Sequence, residues 1–274
     1  MNADLADALR EFGLRVNVSL VILTVALLMS RILPVIILSP FLGGEVVPTE
    51  VKIGLGVMLS IVLYPFVADR VTLIPTGAFP FVLVLLKELF IGVCIAFVVN
   101  MVFEAAKVAG GLADTLGGTA MAQLHVPQIQ QTVSIFSSLK LQFAVVLFLT
   151  LHGHHIVIEA LAESLRTVPL DRFPAWSGGM WGFFDLILRV SADLFLVGVG
   201  LASPVILASF LTDLSLGMIN KVAPQIQVYF ISMSIKPMVA VLMVLVALHL
   251  LTSRFIHEFQ TMFRMLHDAI GRLG

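Results

Sequence analysis

Asp185, Arg189 and Asp193 stand at i, i+4 and i+8 within one apolar run, so a single helical face carries an acid, a base and an acid. Two chemistries are open to such a ladder. It can pair within the helix as a structural device, or it can pass protons, since ionisable groups at membrane depth often mark ion paths. A relay needs a carboxylate without a fixed countercharge, and the guanidinium between these two acids would hold both ionised. The structural reading is therefore preferred. Lys87 and Glu88 are adjacent in another apolar run. Neighbours on a helix face different directions, so each is expected to find its partner elsewhere, on another subunit, and Lys236 is grouped with them. His152, His154 and His155 raise the question of a metal. Helical ligands sharing a face need spacing near i, i+4, whereas His154 and His155 point about a hundred degrees apart. The expectation is a helix end or bend at Gly153. No HExxH, GxSxG or phosphate-loop pattern occurs, so no catalytic residue and no cofactor site is expected.

Composition sets the class in which these groups must work. Of 274 residues, 59% are hydrophobic and only 12% charged, with a mean hydropathy of +1.07. Soluble domains carry about 25% charged residues, so a water-soluble globule is excluded and an integral membrane protein is expected. A net charge of -1 offers no basic face to displace counterions, which argues against nucleic acid as a partner. The single cysteine, Cys94, permits no internal disulfide and sits in an apolar run, as a buried inert thiol would. The first residues lack a small-residue cleavage site after a short apolar core, so a cleaved signal peptide is not expected.

Six apolar runs follow in order: about Val18 to Leu38, Val51 to Ala68, Phe81 to Phe103, Leu139 to Leu161, Trp181 to Leu211 and Met238 to Leu251. These predict an all-α, membrane-associated fold of helical hairpins with about six long apolar helices, broken by glycine and proline. Thr49 is expected to cap the second. The segment holding Gly217, Pro224 and Pro237 is read as too broken for one straight span. Residues 252–274 form an amphipathic tail in which Phe255, Phe259, Met262, Phe263, Leu266 and Ile270 recur at helical spacing, as in a helix lying on a membrane interface or docking a partner. The whole chain, 1–274, is read as a single domain. Lys and Arg show no sidedness from loop to loop, so the positive-inside rule assigns no topology.

The stretch that organises the chain runs from Lys87 to Gln128. It begins as membrane helix, then turns small and polar. Gly110, Gly111, Gly117 and Gly118 provide freedom and close backbone approach, and Pro127 stops any helix continuing through Met121. Val108 to Pro127 is expected to be a movable loop, with Leu112, Leu116, Met121 and Leu124 as apolar side chains able to close a narrow dry constriction. An internal echo accompanies it: Val126-Pro-Gln-Ile-Gln130 reappears as Ala223-Pro-Gln-Ile-Gln227, followed by Lys140 and Lys236 respectively. Two related hairpins are suggested, as in membrane folds that build a central path between halves.

Taken together, the link VVPTEVKIGLGVML, then KELFIGVCIAF, AGGLADTLGG, FLTLHGHHIVIEALAESLRTVP and SPVILASFLTDLSLGMINKVAPQIQVYFISMSIK resemble the FliR/SctT family, export-gate proteins of bacterial type III secretion. The resemblance runs from about Leu33 to the last helix. It implies a non-catalytic subunit of the bacterial inner membrane, in a hetero-oligomer with two smaller export-gate subunits, FliP/SctR-like and FliQ/SctS-like, and with a FlhB/SctU-like subunit. Exported unfolded polypeptides and membrane lipid are the other implied partners. The resemblance further implies that Val108 to Pro127 plugs the lumen of the assembly. Here His125-Val126 stands where the family tends to place an acidic residue, a departure that leaves the contacts of the plug open. The Gly153-His154-His155 piece favours the flagellar branch, although Ser232 to Lys236 is equally at home in injectisomes. The alternative from another class is a secondary transporter or proton-conducting protein, with Asp185, Asp193 or His154 as carriers.

Overall fold

The structure, a computed structural model, describes residues 18–44, 47–68, 77–119, 124–126, 131–171, 173–174 and 179–273. Nine helices and one short ribbon are seen among them: α1 Val18–Leu38, α2 Thr49–Leu63, α3 Pro65–Ala68, α4 Ala78–Leu116, β1 Leu124–Val126, β2 Gln131–Val133, α5 Ile135–Thr150, α6 Gly153–Thr167, α7 Gly179–Val222, α8 Val228–Val246 and α9 Leu248–Leu273. The strands pair antiparallel, Leu124 opposite Val133 and Val126 opposite Gln131. The fold is all-α with this one ribbon inserted. Four helices are long and apolar enough to cross a membrane, or five if the pair α5 and α6, bent by 71° at its break, counts as one. About six were expected. The difference arises because α2 stops at Leu63, too short to span at 1.5 Å per residue.

Helices α4 and α7 outrun their apolar cores, at 39 and 44 residues. Gly217 does not end α7; the break falls at Ala223 to Gln227. Isolated glycine in a helix costs only about 1 kcal/mol against alanine, whereas proline costs about 3. Pro34, Pro204 and Pro237 nonetheless lie inside helices. Thr49 opens α2 rather than capping it; Pro48 holds the cap position and no side chain bonds there. This matches the preference for structures in which the missing proline N–H is already an orphan.

The chain re-enters two compact units. One holds residues 1–99, 155–184 and 266–274, and the other residues 100–154 and 185–265. In the first, Leu27, Leu28, Ile32, Val35 and Ile36 of α1 are buried, as are Ile91, Ile95 and Val98 of α4. In the second, five aromatic residues form the centre. Phe103 meets Phe148 at 5.3 Å between ring centroids and Phe259 at 5.6 Å, while Phe143 meets Phe255 at 5.9 Å. Phe255, Phe259 and Met262 are fully buried. That corrects the reading of the tail: the apolar face of α9 in this unit is covered by its own chain, so neither a membrane interface nor a partner is needed to hide it.

Candidate gate and its polar supports

The expected movable loop begins later than its composition suggests. Val108 to Leu116 is the end of α4, and the chain leaves the helix only at Gly117 and Gly118. The reason lies in what each glycine does. A Cβ at Gly110 would collide with the backbone of Phe136 and Ser137, so Gly110 lets α4 and α5 touch backbone to backbone. Gly111 has open space around it. Gly118 adopts φ +73°, the left-handed conformation that commonly terminates a helix one residue past its cap. Gly117 donates its N–H to Ala113 O at 2.8 Å, and a Cβ there would press on Ala240 of α8. Leu112 is half-buried and Leu116 exposed. Met121 and Pro127 lie outside the described residues.

Below the turn stands Asp114, which is buried. Its carboxylate accepts the N–H of Phe136 at 3.0 Å and of Ser137 at 3.2 Å. Those are the second and third residues of α5, whose N-cap Ser134 makes no side-chain cap bond. A residue of α4 thus performs the capping that a helix normally takes from its own N-cap, with the added favour of negative charge at a helix N-terminus. The same carboxylate accepts the Thr119 hydroxyl at 2.7 Å. One turn further along α5, the buried Lys140 donates to Ala109 O at 3.2 Å and Leu201 O at 3.0 Å, and the Ser137 hydroxyl donates to Lys107 O at 3.2 Å. Ala113, Phe136, Val205, Ala240 and Val244 close an apolar cluster beside these bonds.

A second polar centre, in the other unit, holds Lys87 and Glu88. Arg31 Nε lies 2.5 Å from Glu88 Oε2, and Lys87 Nζ lies 2.6 Å from Oε1. Arg31 also donates to Ser164 Oγ at 3.2 Å and Val168 O at 2.9 Å, and Lys87 to Pro169 O and Leu170 O, both at 3.1 Å. Two cations thus share one carboxylate and the carbonyls just past the C-terminus of α6, where positive charge is favoured. Lys236 pairs with Asp213 at 2.6 Å. The expectation that Lys87, Glu88 and Lys236 seek partners on other subunits rested, for the first two, on their adjacency on one helix; the structure provides a partner for each within the chain. Adjacent residues can meet because a long lysine side chain folds back.

Asp185 and Arg189 pair at 2.8 Å on an exposed stretch of α7, with Asp193 one turn on. They stand among exposed Phe184, Leu188, Phe195 and Leu196. At the α5–α6 bend, His152 rather than Gly153 carries the positive φ, at +57°. Gly153 opens α6, where a Cβ would strike the ring of Phe148. The rings of His152 and His154 stack at 6.3 Å between centroids.

Asp114 was not among the residues singled out in the sequence, and Lys140 entered only through the Pro-Gln-Ile-Gln echo. The signal for Asp114 was available. A lone acid just before a Gly-Gly helix stop lies at the distance from which it can reach the next helix start, which Ser134 marks.

The sequence profile of the family described as "Bacterial export proteins, family 1" matches residues 22–262. The chain is 29% identical over 244 residues to the "Flagellar biosynthetic protein FliR" of Pectobacterium carotovorum subsp. carotovorum, covering 89% of this chain and 91% of that one. It is 27% identical to the "Yop proteins translocation protein T" of Yersinia pestis, covering 82% and 85%. It is 27% identical to the "Secretion system apparatus protein SsaT" of Salmonella typhimurium, covering 93% and 97%.

Proposed function

Because the chain belongs to the bacterial export proteins of family 1, we propose that it is a structural and gating subunit of the type III protein export apparatus in the bacterial inner membrane. Relatives from flagellar and injectisome systems match over nearly the whole length at similar identity, so the shared export role is what the likeness carries. The gating element is the connection between α4 and α5, with its ribbon. The observation supporting it is the contrast at its base. Up to Leu116 the chain is bolted to α5 through Asp114, Lys140 and Gly110, and at Gly118 it turns out of the helix. A connection hung from a rigid base can occupy a lumen without loosening the fold that carries it.

Exposed apolar faces on α7 and α8, interrupted by the Asp185–Arg189 and Asp213–Lys236 pairs, suit contact with helices of FliP/SctR-like, FliQ/SctS-like and FlhB/SctU-like subunits better than lipid. Charges in lipid cost about 2.5 to 3.5 kcal/mol each at the bilayer centre. Unfolded polypeptides are the cargo. A direct test replaces Leu124 to Val133 by a short Gly-Ser linker in the full chain, expressed with its partners. The assembly should form, and the membrane should leak small ions. An assembled complex as tight to ions as wild type would sink the gating role. Deleting Gly110 to Gly118 would instead remove the base itself.

A further inference from the structure

Asp114 is the group through which the end of α4, the start of α5 and Thr119, the third residue of the connection between them, all meet. Its Oδ2 accepts the N–H groups of Phe136 and Ser137, its Oδ1 accepts the Thr119 hydroxyl at 2.7 Å and, at 3.3 Å, the Phe136 N–H, and the Thr119 hydroxyl also lies 3.3 Å from the Asp114 carbonyl oxygen. Every one of these contacts lies within one compact unit. The carboxylate is buried, and Thr119 is buried beside it. Losing the Thr119 hydroxyl leaves the cap on α5 untouched, while losing the carboxylate removes the cap and the shorter of the two Thr119 bonds. The two functions are therefore separable by mutation. A Cβ at Gly118, between Asp114 and Thr119, would come within 3.6 Å of the Lys236 side chain and 3.9 Å of Pro237 on α8. The chain's direction on leaving α4 is thus set from three sides: the left-handed Gly118, the α8 surface, and the hydroxyl tether to Asp114.

We propose that Asp114 is a positioning residue that sets the exit of the chain from α4, through Thr119, independently of its capping of α5. The inference deepens the gating role proposed above and rests on it for its consequence in export, not for its geometry. Without the tether the turn keeps its glycine conformation but loses its fixed direction, so the ribbon is carried over a range of positions. The helices stay packed, because the Phe136 and Ser137 bonds and the Lys140 bonds to Ala109 and Leu201 remain.

The test uses full-length protein expressed with its partners in a Cys94→Ser background, with spin labels at Thr132 on β2 and at the exposed Leu149 on α5. Wild type should give one narrow distance by pulsed electron resonance. Thr119→Val should lose that narrow distance at unchanged assembly yield and melting midpoint, and Thr119→Ser should restore it. Asp114→Asn, which keeps one acceptor oxygen, should broaden it too. A narrow wild-type distance in Thr119→Val, or broadening accompanied by an equal loss of melting midpoint, overturns the positioning role. Ion leak read in the same strains separates the two ideas: a broadened distance without leak or change in export upholds the positioning role and removes the gate reading.

Discussion

The two hairpins that carry the Pro-Gln-Ile-Gln echo employ the same pair of residue types in opposite ways. In α4–α5, the acid before the turn and the lysine after it, Asp114 and Lys140, are both buried, and each is satisfied by backbone groups of the neighbouring helices. In α7–α8, Asp213 and Lys236 are partly open to solvent and satisfy each other at 2.6 Å. The connections differ as well. The first contains a ribbon, whereas the second is the five-residue turn Ala223 to Gln227, beside an open cleft of about 540 Å³ lined by Leu216, Asn220, Pro224 and Phe230. A buried charge held by backbone ties two helices into one register, because no water can replace its partners. An exposed ion pair leaves its helices free to be repacked by a neighbour. The same local pattern therefore makes a rigid base in one hairpin and an adaptable surface in the other.

The comparison predicts that burial, not the count of charges, decides what a mutation costs. The largest effect is expected at the most buried centre, where α1, the first half of α4 and the end of α6 meet, away from both turns. Glu88→Gln leaves Arg31 and Lys87 as two buried cations without their shared carboxylate, at a cost of about 3 to 5 kcal/mol. Thermal melting and yield of the detergent-extracted chain, purified without partners, should fall sharply. A loss that appears only on co-expression would return these residues to a role between subunits.

Next in size is the contrast between the two hairpin acids. Asp114→Ala removes a charged acceptor from two buried N–H groups and should lower stability by about 2 to 3 kcal/mol. Asp213→Ala breaks a solvent-exposed pair and should cost less than about 1 kcal/mol. Parallel denaturation of the two variants measures both, and equal losses would erase the distinction drawn between the hairpins.

The glycines allow a finer cut. Gly110→Ala forces a methyl into the backbone of Ser137 and should destabilise by about 1 to 3 kcal/mol. Gly111→Ala, with nothing within 4 Å of the new carbon, should stabilise α4 by roughly 0.5 to 1 kcal/mol. If both behave alike, the stretch is flexible after all and the backbone contact at Gly110 carries no weight.

These four glycines also show where sequence reading succeeds and fails. The membrane helices were legible because long apolar runs have few alternatives in water, and α1 ends at Leu38, where its run does. The length of α4 was not. Gly-Gly at 110 and 111 has the composition of a loop, and only the facing helix reveals that it is a contact surface; Gly-Gly at 117 and 118 is a true stop, distinguished by a left-handed φ that no composition displays. The polar centre of Arg31, Lys87 and Glu88 was visible as a problem, charges in apolar runs. Its solution was hidden, because a carbonyl 137 residues from Arg31 and two others 82 and 83 residues from Lys87 have no side-chain signature. The tail's amphipathic period was plain, yet a period says which face is apolar and nothing about what covers it.

The smallest effect is expected at Arg189, where the ladder of charges first suggested proton transfer. Its pair with Asp185 spans i to i+4 with the acid N-terminal, the favourable order on a helix, but its guanidinium is 72% exposed and the carboxylate 53%. Exposed pairs of this spacing contribute about 0.3 to 0.5 kcal/mol. Arg189→Leu should therefore change the melting of the isolated chain by an amount near the limit of measurement, rather than unfold it. The neighbouring Leu188, Phe195 and Leu196 are also exposed, so a subunit packed on this face would desolvate the pair. Breaking it would then strand Asp185 in a dry interface, where the cost rises several-fold. The same substitution made in the co-expressed complex should reduce recovery of partners, and adding Asp185→Asn should restore much of it by removing the stranded charge. Loss of stability in the isolated chain, or full recovery of partners with Arg189→Leu alone, would show that this face of α7 is not where other subunits bind.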